Sequence, residues 1–76
     1  MLTGFQARAA RAGVGITLSE LSINTGISAA TLKRMEKVGQ FDFVSSNSKT
    51  IDKLLDFYRA CGIEFTEENG LMINKP

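Results

Sequence analysis

Hydrophobic residues recur with a helical period in four stretches of this chain and switch to alternation near its end. The first stretch opens with Thr3-Gly4-Phe5-Gln6, which fits a capping box: the threonine hydroxyl accepts from the backbone three residues on, and the glutamine side chain reaches back. It continues to about Ala12 with good helix formers and puts Phe5, Ala9 and Ala12 on one face; Gly13 and Gly15 then end it. Thr17-Leu18-Ser19-Glu20 is a second capping box, with Ile16 and Leu21 in hydrophobic-staple positions, and Asn24-Thr25-Gly26 keeps that helix short. Ser28 caps a third helix eleven residues after Thr17, with Ile27 and Leu32 again placed as a staple and Leu32 and Met35 turned inward. An irregular connection over 38–47 leads to a fourth helix, capped among Ser46, Asn47 and Ser48. Ile51, Leu54, Leu55, Tyr58 and Cys61 form its inward stripe, and Gly62 stops it. In the tail, Ile63 and Phe65 alternate with Glu64 and Thr66, Glu67-Glu68-Asn69-Gly70 supplies turn chemistry, and Leu71-Met72-Ile73 resumes the apolar run. This predicts a β-hairpin over about 63–74.

The pattern therefore predicts a mainly α chain of four helices with a short C-terminal hairpin, organised as a single domain over 1–76, a length that suits one domain and not two. An apolar share of 43% and a charged share of 22% fit a globular chain. No apolar run approaches the roughly 20 residues that cross a bilayer, the start lacks a secretory pattern, and the one cysteine excludes an internal disulfide framework; a cytoplasmic setting is expected. The absence of histidine and of any Cys/His cluster argues against a zinc site and against ordinary nucleophilic catalysis, and the adjacent Glu67 and Glu68 are poorly spaced for paired acid–base work. The chain reads as a non-enzyme with no cofactor. Charge changes the picture only when divided: residues 1–38 hold five cations and two carboxylates, net +3, whereas residues 39–76 hold four cations and six carboxylates, net −2. Such asymmetry fits a protein with one end turned toward a polyanion.

The stretch 17–37, TLSELSINTGISAATLKRMEK, combines a short helix, a tight turn and a second helix. Leu21, Leu32 and Met35 are apolar where two such helices meet, Ser22 is small at their crossing, Gly26 stands where a turn needs positive φ, and Ile27 follows as a core plug. Thr17, Leu21, Thr25-Gly26-Ile27-Ser28, Thr31-Leu32 and Met35-Glu36 together resemble, in register, the helix-turn-helix of Xre/Cro-family transcriptional regulators, with their lambda-repressor-like fold. Gln6-Ala7-Arg8-Ala9-Ala10-Arg11-Ala12 and the tail from Gly62-Ile63-Glu64-Phe65 to Glu68-Asn69-Gly70 look like the first helix and tail of a subgroup of that family.

The resemblance implies a cytoplasmic bacterial or phage-encoded repressor that binds double-stranded DNA, as a homodimer on a pseudo-palindromic site. Residues 28–37 would form its recognition helix. Ser28, Ala29, Ala30, Thr31, Lys33 and Arg34 would face the major groove, Arg34 with a fork suited to guanine and the alanines suited to thymine methyls. Ser19 at the start of helix 2, and Asn47, Ser48, Lys49 and Thr50 at the start of helix 4, would meet phosphate. Two positions depart from the family pattern: Leu18 stands where it commonly has glutamine, and Ala29 and Ala30 stand where it often has arginine or glutamine.

Other readings stay open. Lys33 and Arg34 also suit a solvated helix face, and Arg8 and Arg11 read more simply as surface charge than as DNA contacts. Phe41 and Phe43 are expected to fill the core beneath helix 4, with partner binding as the alternative. The hairpin could extend a sheet across a dimer. An alternative function of a different class is a protein-interaction or antitoxin-like module that keeps the fold, has weak or no DNA binding, and meets its partner through the 38–47 loop or the hairpin.

Overall fold

In the computed structural model, which describes residues 2–39, 42–44 and 46–74, four helices precede a two-stranded antiparallel hairpin. The helices are α1 (Gly4–Val14), α2 (Leu18–Thr25), α3 (Ala29–Glu36) and α4 (Ser48–Ala60); the strands are β1 (Ile63–Phe65) and β2 (Leu71–Ile73). Each helix begins where a polar side chain meets its orphan amides. Thr3 and Thr17 form complete capping boxes with Gln6 and Glu20, Ser28 accepts from the Thr31 amide, and Asn47 from the Thr50 amide. Gly15 and Gly26 close α1 and α2 in left-handed geometry, whereas Gly13 stays inside α1. In the hairpin, Ile63, Glu64 and Phe65 pair with Ile73, Met72 and Leu71, and Asn69 takes a positive φ of 63° in the turn.

Leu21, Ile27, Leu32, Met35, Leu54, Tyr58 and Ile63 belong to one buried cluster, joined from α1 by Ala7 and Ala10 and from flanking extended chain by Leu2 and Val44. α2 packs against both α3 and α4, α1 against α3 and β2, and α4 against β1. Among the described residues no helix is long and apolar enough to cross a membrane.

Two expectations about the core are corrected, those for Phe43 and Cys61, and the buried face of α1 is not the one that carries Phe5, Ala9 and Ala12. α1 buries Gly4, Gln6, Ala7 and Ala10, while Phe5 is 38% exposed and Ala12 is exposed. The cause is a close backbone approach: a Cβ at Gly4 would collide with the Val38 carbonyl oxygen, and the Gly4 amide donates to the Asp42 carbonyl at 3.1 Å. Phe43 is 56% exposed rather than in the core. Residues 42–44 run extended beside Leu2 and Thr3, with a bridge between Thr3 and Phe43 and the Val44 amide donating to the Leu2 carbonyl at 2.7 Å. Alternation along that extended chain sends Val44 inward and Phe43 outward; Phe41 lies outside the described residues. Cys61 is exposed. α4 ends one residue earlier, and Ile63, 1% exposed, takes the inward position that follows.

Candidate nucleic-acid interface

α3 has two faces of different chemistry. Leu32 and Met35 are each 1% exposed and hold the helix to the core, whereas Ser28, Ala29, Ala30, Lys33, Arg34 and Lys37 are exposed and Thr31 is half-buried. Among the described residues neither Lys33 nor Arg34 forms an ion pair, so both cations are free to meet an external anion. Ser28 is committed at the helix start: its hydroxyl accepts from the Thr31 amide at 3.2 Å and donates to the Thr31 hydroxyl at 2.8 Å. Its remaining hydrogen-bonding capacity is therefore small. The outward reach of α3 comes from Lys33 and Arg34, and Ala29 and Ala30 offer only methyl groups.

The turn before α3 is fixed by short polar links. Gly26 has φ 75°, and a Cβ there would meet nothing within 4 Å, so the position requires glycine for its backbone angle and not for space. The Ser22 hydroxyl donates to the Ile27 carbonyl at 2.6 Å, the Thr25 hydroxyl donates to the Leu21 carbonyl at 2.7 Å, and the Ile27 amide donates to the Thr25 hydroxyl at 3.2 Å. Ser22, expected to be merely small, thus ties α2 to the chain entering α3.

The other candidate residues sit at two helix N-termini of unequal quality. Ser19 is exposed in the first turn of α2, but Glu20 beside it accepts from the Thr17 amide at 3.0 Å. That hydrogen bond, with the Thr17 side-chain contact next, lowers the Glu20 pKa, so a carboxylate already occupies this helix end. The start of α4 carries no acidic residue in its first turn. There Asn47 caps the Thr50 amide at 2.8 Å, Ser48 and Lys49 are exposed, and Thr50 is half-buried. Amides, dipole and a lysine converge at this end, which makes it the better anion site of the two.

Arg8, Arg11 and Glu36 play a part that the sequence reading assigned to none of them. Rather than surface charge, Arg8 donates to the Glu36 and Val38 carbonyls at 2.5 and 3.0 Å, and Arg11 holds the Glu36 carboxylate and the Ile16 carbonyl. These bonds anchor the C-terminal end of α3 to α1. The signal available in the sequence was the spacing of Arg8 and Arg11 on one helical face, together with a lone acid at the end of α3. No group of three or more His, Cys, Asp or Glu side chains able to hold a metal exists among the described residues. No family model matches the chain, and neither a curated protein nor a solved structure is significantly similar to it.

Proposed function

We propose that this chain is a sequence-specific DNA-binding regulator of the lambda-repressor-like, Xre/Cro kind, with α2 and α3 as its helix-turn-helix and α3 as the recognition helix. The observation that carries the reading is the division of α3: an inward face anchored by Leu32 and Met35, and an outward face on which Lys33 and Arg34 stand without ion-pair partners among the described residues. Arg34 is assigned to a guanine edge, Ala29 and Ala30 to thymine methyls, and the α4 N-terminus with Lys49 to phosphate. Because one such helix reads only a few base pairs, the protein acts as a homodimer on a pseudo-palindromic operator, as a repressor.

A second reading has its own support. Ala29 and Ala30 remove polar reach from the leading turn of α3, which favours a protein-interaction or antitoxin-like module with weak DNA binding. Fluorescence anisotropy separates the two, using duplex DNA from the gene's own upstream region against a scrambled duplex at two salt concentrations. Tighter binding to the native duplex, weakening steeply with salt, is the expected result. Absence of binding to either duplex by folded protein would overturn the DNA reading in favour of the interaction module.

A further inference from the structure

A groove of about 810 Å³ lies between the N-terminus of α1, α4 and the hairpin, away from α3, none of whose residues line it. Its apolar wall is formed by Phe43, Leu55 and Phe65, of which Phe43 is the most open to solvent. Leu55 and Phe43 also border a second depression of about 260 Å³, so the apolar strip extends beyond the reach of one side chain. The rim is acidic. Glu64, Glu67 and Glu68 are all exposed, and among the described residues none of them forms an ion pair. Arg59 also lines the groove but is drawn to Asp56 at 3.5 Å, which leaves the three carboxylates without a cationic partner among the described residues.

The groove is held open by the chain itself. Gln6 Nε2 donates to the Thr66 and Gly70 carbonyls at 2.9 and 2.8 Å, and the Thr3 hydroxyl donates to the Asn69 side-chain oxygen, so the turn carrying Glu67 and Glu68 is tied to α1. A preformed wall spares a ligand the cost of ordering it. An apolar floor with three carboxylates at its edge, unpaired among the described residues, repels nucleic acid and selects a ligand that is both apolar and cationic. A second copy of this chain in two-fold contact would bring both acidic rims into one interface, six carboxylates in all.

We propose that this groove docks a cationic amphipathic segment of a partner protein, with bulky apolar side chains over Phe43, Leu55 and Phe65 and Lys or Arg side chains against Glu64, Glu67 and Glu68. The proposal does not depend on DNA binding by α3, and failure of either leaves the other standing. The test is selection of a random dodecapeptide phage library on the full-length protein, with the enriched peptides then titrated by anisotropy. Enriched sequences should place Lys or Arg around aromatic or aliphatic residues. Their affinity should fall at least about tenfold for Phe43→Asp and for the Glu67→Lys/Glu68→Lys pair, all exposed positions, with helical circular dichroism retained. Enrichment of acidic peptides, no enrichment, or affinities unchanged in both variants would overturn it. So would a concentration-dependent dimer in sedimentation that Phe43→Asp abolishes, because the occupant would then be a second copy.

Discussion

The Arg11 guanidinium closes on both carboxylate oxygens of Glu36, with Nε at 3.1 and 2.8 Å from Oε1 and Oε2 and Nη2 at 3.0 Å from Oε1. The Glu36 side chain is 10% exposed and that of Arg11 30%, so the carboxylate depends on this one partner far more than the guanidinium does. Removing the arginine strands a nearly buried charge. Arg11→Met should therefore lower unfolding stability by about 2–3 kcal/mol in urea titration. Replacing both groups, with Arg11→Met and Glu36→Leu, should cost less than the sum of the single changes. Strict additivity would show that the pair contributes nothing beyond packing.

Tyr58 presents the opposite case. Its ring is fully buried, edge-on to Phe65 at 6.1 Å between centroids, yet among the described residues its hydroxyl has no hydrogen-bond partner. Tyr58→Phe should leave stability unchanged or raise it by up to about 1 kcal/mol, while Tyr58→Ala should cost about 3–5 kcal/mol. Burial raises the Tyr58 pKa well above its ordinary 10.0, with the nearby Glu36 carboxylate adding to the rise and Arg11 opposing it. A phenol whose folded pKa exceeds its unfolded one contributes stability that is complete below the unfolded value and is lost as pH rises toward the folded one. Urea midpoints should therefore fall above about pH 10 in the parent and stay flatter in Tyr58→Phe.

The sequence reveals the helix starts because capping is local chemistry, settled by residues three apart in Thr3–Gln6, Thr17–Glu20, Ser28–Thr31 and Asn47–Thr50. The inward face of α1 is not legible in the same way. Gly4, Ala7 and Ala10 are too small for hydropathy to distinguish them from Ala9 and Ala12, and partners 60 and 64 residues from Gln6 help fix the helix's rotation. Phe43 misleads because hydrophobicity alone does not say which residue of an extended segment points inward; pairing with Leu2 and Thr3 decides it. The outward face of α3 is readable from the spacing of Leu32 and Met35. Its anchoring by Arg8 and Arg11 is only hinted at, by their shared helical face and the lone Glu36, because the partners join elements that only the fold brings together.

Gly26 supports a test of why the turn before α3 has its shape. Since a Cβ there touches nothing within 4 Å, the penalty for substitution comes from its φ of 75° alone. Gly26→Val should destabilise by about 1–3 kcal/mol, and Gly26→Asn by less, because asparagine tolerates the left-handed region that a β-branched residue resists. Equal thermal melting midpoints for the two variants would contradict this ordering.

Arg34 is exposed and unpaired among the described residues, so its removal should separate binding from folding. Arg34→Ala should lower affinity for the specific operator by about 1–3 kcal/mol and relax the preference for guanine at one position, with the melting temperature unchanged. The check is anisotropy against operator variants at that base pair. A uniform loss across all duplexes would reassign the residue to phosphate.

Glu20 supplies the most discriminating charge test at the proposed interface. Its carboxylate completes the capping box of α2 while placing a negative charge beside Ser19, where the family resemblance would bring a DNA phosphate. Glutamine can also accept from the Thr17 amide, so Glu20→Gln should remove the charge, with its favourable dipole interaction, and keep the hydrogen bond that starts the helix. Affinity for any duplex should then rise about two- to fivefold at low salt, and the gain should shrink as salt is added. Lowering the pH is not an equivalent manipulation. Hydrogen bonding from Thr17 holds the Glu20 pKa below its ordinary value, so the charge survives at about pH 5, and the capping contribution is lost only as pH falls through that depressed value. The Glu20→Gln advantage should therefore persist at about pH 5. Unchanged affinity in Glu20→Gln would place the α2 N-terminus away from phosphate and leave the α4 N-terminus, with Asn47, Ser48, Lys49 and Thr50, as the anion site.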